Sequence, residues 1–538
     1  MNAFYAVLRH RSRVLAYLFG SFVVSLWTVL RHISNGVNFD VVGQIGLAQQ
    51  WANGFHSGAQ LGATNYVLKI PLYMLVNDFG FISPMHRLLL LALLCNIATF
   101  ALLFLVFEKI AKLYEIRNTL WLYLAMIWLA TIAGNVFWTD YANSRNLETV
   151  GGILFLYLVL KFIRSQSVGT ASLAVLAGSI AFFADSLQLY ICGGGACLFV
   201  VARWLIRRQC QAAVVAAKII GIILLSYGGA RLIRIIVEHT LHVSFLLAPR
   251  VEIKLDAATV SQTLRTVCSS TLDIFGANVF KRPYDLNSVR EALSLVVLVV
   301  VIALLIRAAA TIRSRSAMGL GLSAIFVSYV IYVASGQVLV PVTYRYLIMV
   351  PLLLILLISN AGDAIGGRRT VAVARLQFVW LAVSLVSSVM LAGAVATHWP
   401  TRHANDAHIY ATSSFLTSNN LQYSLSSREA GITTTYFAGG RETVLPLLCT
   451  ADNRLVLTDL FYDKAAFESF QNYQGNTAII VPGTGIVSGS DVCDTTAITA
   501  QFGPPDSQGP VPGVGTALVY TPAELRAHLA PLPVEDVR

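Results

Sequence analysis

The sequence predicts an α-helical polytopic membrane protein of about eleven transmembrane helices, followed by a small mixed α/β domain outside the cytoplasm. Three observations point there. Of 538 residues, 56% are hydrophobic and only 12% charged, against roughly 25% charged in a soluble globular protein. Long apolar runs recur from Val14 to Ala396, with short basic clusters at alternate connections, and the chain then changes character into short β-prone runs. The net charge of +11 is spread over those clusters. A nucleic-acid surface would instead gather its cations in one stripe with interleaved aromatics.

The N-terminus begins basic and runs into Val14 to Leu30 with no small-residue cleavage site, which reads as a retained first helix rather than a signal peptide. In the loop that follows, 31–83, the helical apolar pattern of Val41 to Trp51 stops at Asn53-Gly54 and predicts an interfacial helix. Further spans are expected over Pro84 to Phe107, Thr119 to Phe137, Leu147 to Lys161, Thr170 to Ala184, Leu187 to Ile206 and Ala212 to Ala230. A second loop, 231–290, separates these from Ala292 to Arg307, Ala317 to Ser335, Tyr346 to Ile358 and Phe378 to Ala396. Residues 1–397 thus form the membrane domain and 398–538 the C-terminal domain. In the latter, runs such as Arg454 to Leu460 and Ala478 to Pro482 alternate with Gly, Pro, Asn and Ser.

Orientation follows from charge. With the N-terminus cytoplasmic, the groups Arg9/Arg11/Arg13, Lys109/Lys112/Arg117, Lys161/Arg164, Arg203/Arg207/Arg208, Arg307/Arg313/Arg315 and Arg368/Arg369/Arg375 all fall inside. Both loops and the C-terminal domain then lie outside. Cys449 and Cys493, the two cysteines of the polar tail, are placed to form a disulfide there.

Polar residues collect at the outer helix ends: Asp40, Lys69, Asp140, Tyr141, Arg145, Asn146, Glu148, Asp185, Gln188, Tyr344 and Arg345. Ionisable groups at a membrane boundary cost free energy unless solvated or paired, so this clustering predicts a water-accessible cavity at the outer face. Asp40 is placed to act as a general base, or as the N-cap of the interfacial helix. Lys69 and Arg345 suit phosphate oxygens, or anchor to lipid headgroups. Arg145 and Glu148 are three apart and can pair on one helical face. Asp185 lies where one apolar run turns into the next, and capping that turn is the alternative to a role in a site. Gly193-Gly194-Gly195 falls in an apolar run and reads as a close-packing surface. No histidine pattern has metal-ligand spacing, and phosphate-binding Gly-rich loops, His-Glu-x-x-His and nucleophile elbows are absent from the sequence, so neither metal nor cofactor is expected.

This layout resembles the GT-C-type membrane glycosyltransferase superfamily through about residue 360. The likeness is carried by Asp40 at the head of the first outer loop, Lys69-Ile70-Pro71-Leu72-Tyr73, Ser144-Arg145-Asn146-Leu147-Glu148, Ala184-Asp185-Ser186-Leu187 and Tyr344-Arg345-Tyr346-Leu347. Gly431 to Phe437 followed by Arg441 to Leu448 is similar to the extracytoplasmic tail of bacterial relatives. The chain departs from the members that modify lipid A with aminoarabinose, and from protein O-mannosyltransferases, in carrying Val41 after Asp40 where those place Asp-Glu.

The resemblance implies an inverting sugar transfer from a polyprenyl-phosphate donor to an envelope glycan, lipid or protein at the outer face of the cytoplasmic membrane. It implies Asp40 as base and Lys69, Asp140, Arg145, Glu148, Asp185, Tyr344 and Arg345 as substrate-binding residues, with membrane lipids and no nucleic acid as partners. A transporter or flippase of lipid-linked glycans and an O-antigen polymerase are the alternatives. The helix centres being largely free of charge favours the transferase over the transporter.

Overall fold

A computed structural model describes residues 42, 60–61, 69–77, 82–116, 120–131, 146–241, 244–245, 257–280, 286–309, 315–334, 347–366, 410–438, 442–450, 453–457, 464–483 and 493–521, with isolated positions between 375 and 393 and at 525 and 528. The spans expected over Val14 to Leu30 and most of Val41 to Trp51 lie outside these residues, and Phe378 to Ala396 is described only in fragments.

In chain order, β1 (Gln60–Leu61) and α1 (Ile70–Asn77) precede α2 (Pro84–Leu113), α3 (Leu120–Thr131), α4 (Asn146–Ser165) and α5 (Val168–Ala184). A helical turn, Ser186–Gln188, and a π turn, Leu189–Gly193, lead into α6 (Gly194–Arg207) and α7 (Cys210–Leu241). Then come β2 (Ser244–Phe245), α8 (Ala257–Ile274), α9 (Leu286–Ala309), α10 (Arg315–Ala334) and α11 (Met349–Gly366). The C-terminal part holds β3 (Tyr423–Ser427), α12 (Arg428–Phe437), β4 (Thr443–Cys449), β5 (Leu455–Leu457), α13 (Lys464–Asn472), β6 (Thr477–Pro482), α14 (Thr495–Phe502), β7 (Ser507–Val511) and β8 (Gly515–Tyr520).

The chain forms two compact units. One comprises Met1–His32, Ala92–Arg234 and Pro249–Thr397; the other comprises Ile33–Leu91, Ile235–Ala248 and His398–Arg538. Among the described residues, five helices are long and apolar enough to cross a membrane: Pro84–Leu113, Ser186–Arg207, Cys210–Thr240, Ser288–Ile306 and Ser316–Ala334. Val168–Ala184 and Met349–Ser359 are shorter apolar helices.

The first unit is inside-out relative to a soluble bundle. On α5 the large residues Leu173, Leu176 and Ile180 are exposed, whereas Ala174, Gly178 and Ala181 face the interior. On α7, Leu224, Leu225 and Leu232 are exposed while Ser226 and Ala230 are buried. Exposed stripes of this size belong against lipid tails, and small residues let the backbones approach where apolar burial provides no drive between helices. At Gly178 an added Cβ would stand 2.5 Å from the Ser226 hydroxyl, and at Gly229 2.2 Å from that of Ser179, so α5 and α7 meet glycine against serine. The three-glycine run packs α6 in the same way. A Cβ on Gly195 would lie 2.6 Å from the Ala324 Cα, and one on Gly194 3.3 Å from Val327.

Several basic helix ends share one end of this unit. Arg164 at the end of α4 donates to the Leu113 carbonyl at the end of α2 and pairs with Glu115 at 3.5 Å. Arg203 near the end of α6 reaches the Ser316 hydroxyl at the start of α10 at 3.5 Å. The aromatic core of the unit lies on α3: Trp128 stacks on Phe275 with centroids 5.7 Å apart, and Trp380 meets Trp121 and Trp128 edge-on.

Helix α8 and the last turns of α7 occupy what reads in sequence as the second loop. Residues such as Ser261, Gln262, Thr263 and Ser270 dilute the apolar pattern of α8, and contacts from tertiary structure hold it instead. Thr271 Oγ1 lies 3.1 Å from Tyr329 Oη, and Tyr332 Oη donates to Ser270 Oγ at 3.1 Å, both tyrosines being on α10.

In the second unit, β1 pairs in parallel with β2. Its main element is a six-stranded sheet ordered β5-β4-β3-β6-β8-β7, with β4, β3 and β6 parallel and the outer strands antiparallel. One face carries Leu425, Leu445, Leu447, Ile479 and Leu518 against Phe467, Phe470, Ile498 and Phe502; the other packs Val444, Ala478, Ile480 and Ala517 against Leu416 and Leu421. Strands covered on both faces read as near-continuous apolar runs, which is how Ala478 to Pro482 reads. Cys449 and Cys493 are joined in a disulfide, Cα to Cα 5.1 Å. Tyr436 on α12 donates to the Pro84 carbonyl at 3.2 Å, tying the sheet domain to the residues that open α2. Burial pushes that phenol up to about 12, against a smaller opposing effect of Arg87, so it remains a donor throughout the neutral range.

Candidate active site

Three of the eight site residues expected from sequence are described. Asp40, Asp140, Arg145, Tyr344 and Arg345 lie outside the described residues.

Glu148 stands in the first turn of α4 and is 3% exposed; its neighbour Thr149 is fully buried. Asp185 closes α5 and is also 3% exposed. Its backbone is extended, φ −147° and ψ 111°, and its side chain accepts from the Leu187 N–H at 3.0 Å. The capping role open to Asp185 in the sequence is therefore real, and it acts on the helix that follows. Because α4 and α6 both end among the arginines and α5 runs back against α4, the chain reverses direction at this single residue. Gly193 confirms the reversal, since its Cβ position lies 3.5 Å from Phe182 on the preceding helix.

Close packing sets the level of the two carboxylates. A Cβ on Gly151 would stand 3.1 Å from the Ala181 methyl, and one on Gly152 2.1 Å from Gln188 Oε1. Glu148 precedes these glycines by three and four residues, and Asp185 follows Ala181 by four. Both carboxylates therefore lie at the same end of the α4–α5 pair, opposite the basic ends. Gln188, fully buried, joins them there and accepts from Cys192 Sγ at 3.5 Å. The π turn Leu189–Gly193 follows directly; such insertions within helices are frequent at functional sites. Sequence alone placed Gln188 among the outer polar residues, but nothing in its flanks marked it off from an ordinary helix-end glutamine.

Lys69 belongs to the second unit, immediately before α1, and is 1% exposed beside a fully buried Tyr73. Protein encloses this side chain, whereas a headgroup anchor would be open at its tip. Among the described residues, no group of three or more His, Cys, Asp or Glu converges to hold a metal ion.

The fold and these residues define a multi-pass helical membrane protein with a small sheet domain and buried carboxylates at one end of its bundle. No family model and no curated protein matches the sequence. Among solved structures the chain is similar to the crystal structure of ArnT from Cupriavidus metallidurans in the apo state, over 97% of this chain and 100% of that one, with 12% identity and a TM-score of 0.43. A likeness of that degree assigns no activity to this chain.

Proposed function

We propose that the protein is a membrane glycosyltransferase that moves a sugar from a polyprenyl-phosphate donor to an envelope glycan, lipid or protein acceptor, with inversion, at the outer face of the cytoplasmic membrane. The observation that carries this reading is the pair of buried carboxylates, Glu148 and Asp185, held level at the end of the bundle opposite the arginines. Ionisable residues of membrane helices mark substrate sites by default. The basic ends fit a cytoplasmic face, which puts the carboxylates outside. The Cys449–Cys493 disulfide fits the same side, where thiols are oxidised.

In this reading Asp40 removes the proton from the acceptor hydroxyl as its oxygen attacks the anomeric carbon. The bond to the lipid phosphate breaks on the opposite face of the ring, and the electron pair leaves with the phosphate. That leaving group is already an anion and needs cationic stabilisation rather than a general acid; Lys69, Arg145 and Arg345 supply it. Glu148 and Asp185, with Asp140 and Tyr344, orient the sugar. No cofactor is required.

The test is release of polyprenyl phosphate by wild type and Asp40→Asn in lipid nanodiscs, supplied with a panel of polyprenyl-phosphate pentoses and hexoses and envelope acceptors. Turnover by wild type, lowered on the order of 10²–10⁴-fold in a stably folded Asp40→Asn, is the expected result. Equal turnover removes Asp40 as the base. Absence of turnover with every donor and acceptor moves the assignment to a carrier of lipid-linked glycans.

A further inference from the structure

The glycosyltransferase reading assigns Glu148 and Asp185 to the sugar, and Gln188 adds a buried donor beside them. This side chain is 0% exposed, and its Nε2 has no hydrogen-bond partner among the described residues. Its Oε1 is accounted for, lying against the bare Cα of Gly152 and accepting from Cys192. Cys192 sits one turn deeper in the bundle than Gln188. Glu148 and Asp185 lie at the same end of the α4–α5 pair as this amide.

A buried donor without an acceptor is costly, and native structures rarely keep one unless an unseen group completes it. Here the surroundings select that group. Carboxylates are good acceptors for hydroxyl protons, and the amide is a donor for a hydroxyl or ring oxygen. A polyhydroxylated ring satisfies both.

We infer that Gln188, Glu148 and Asp185 form the subsite for the sugar ring of the donor, with Gln188 Nε2 donating to a sugar oxygen and the carboxylates accepting from its hydroxyls. The inference rests on the glycosyltransferase reading and adds Gln188 as a specificity-determining residue.

The test compares binding of a polyprenyl-phosphate sugar with that of bare polyprenyl phosphate, by ligand-dependent thermal shift of the full chain in nanodiscs. Wild type binds the sugar-bearing lipid more tightly. Gln188→Met keeps the volume and removes the orphaned donor, so its unliganded melting temperature is equal or higher while its preference for the sugar-bearing lipid falls about tenfold. Gly152→Ala drives a methyl into the space of Oε1, turns the amide, and loses the same preference; it decides the matter should Gln188→Met not fold. Retention of the preference in the folded variant overturns the role of Gln188 and leaves the glycosyltransferase reading standing. Equal or absent binding of both lipids by wild type, with no turnover of any donor, overturns both.

Discussion

Thr417 and Ser413 show how hydroxyls hold a buried charge. The Glu442 carboxylate, 6% exposed, accepts from Thr417 Oγ1 at 2.5 Å and from Ser413 Oγ at 3.2 Å. Thr417→Val leaves one carboxylate oxygen without its hydroxyl donor and costs about 1–3 kcal/mol. The expected outcome is faster hydrogen exchange at the β4 amides of the full chain; exchange equal to wild type would show the bond to be idle. Gln188 presents the opposite problem, a donor whose acceptor is not yet in place. The sequence groups Gln188 with the outer polar residues but gives neither residue a burial or a partner. Glu442 follows an arginine in a polar stretch, and Gln188 is a neutral side chain beside Leu187 and Leu189, so only the packing around each distinguishes it from a surface residue. Asp185 was more legible, because an acid between two apolar runs is placed to cap the turn, and one of its oxygens does cap it.

Helix contacts in the first unit are decided by what is missing from the side chains. Gly195→Ala puts a methyl into the backbone of α10 at Ala324, which cannot yield as a side-chain tip would, and the two helices must separate. Gly221, on α7, has nothing within 4 Å of its Cβ position, so Gly221→Ala gains helix propensity of up to about 1 kcal/mol. Thermal unfolding in detergent is expected to place Gly195→Ala below wild type and Gly221→Ala level with or above it; the reverse order would mean that the glycine run does not pack α6. Most of the apolar helices were legible from their composition, since α2, α4, α5, α6, α9 and α10 each overlap an expected apolar run, α5 and α10 most closely. α8 was not, because serines and threonines satisfied by tyrosines of α10 look like loop residues until those tyrosines are in place. The final turns of α7 escaped for a related reason: Arg231, Arg234 and Glu238 end the apolar run, but the backbone continues through them to Leu241.

Across the whole molecule the proposed topology rests on the sign of charge at the helix ends. In cells whose chain lacks the exposed thiols Cys210 and Cys268, Arg207→Cys is expected to react with a membrane-impermeant maleimide only after the membrane is opened, and Ser418→Cys in intact cells. Labelling in the opposite pattern inverts the orientation and with it the outer-face reading of the carboxylates. The disulfide-bearing sheet domain and the buried Lys69 were both within reach of sequence reasoning, by cysteine position and by an isolated cation in an apolar stretch. That a single extended residue makes the turn at Asp185 was not, and it leaves no slack between Val168–Ala184 and Ser186–Arg207, so neither helix can slide along the other without displacing the carboxylate between them.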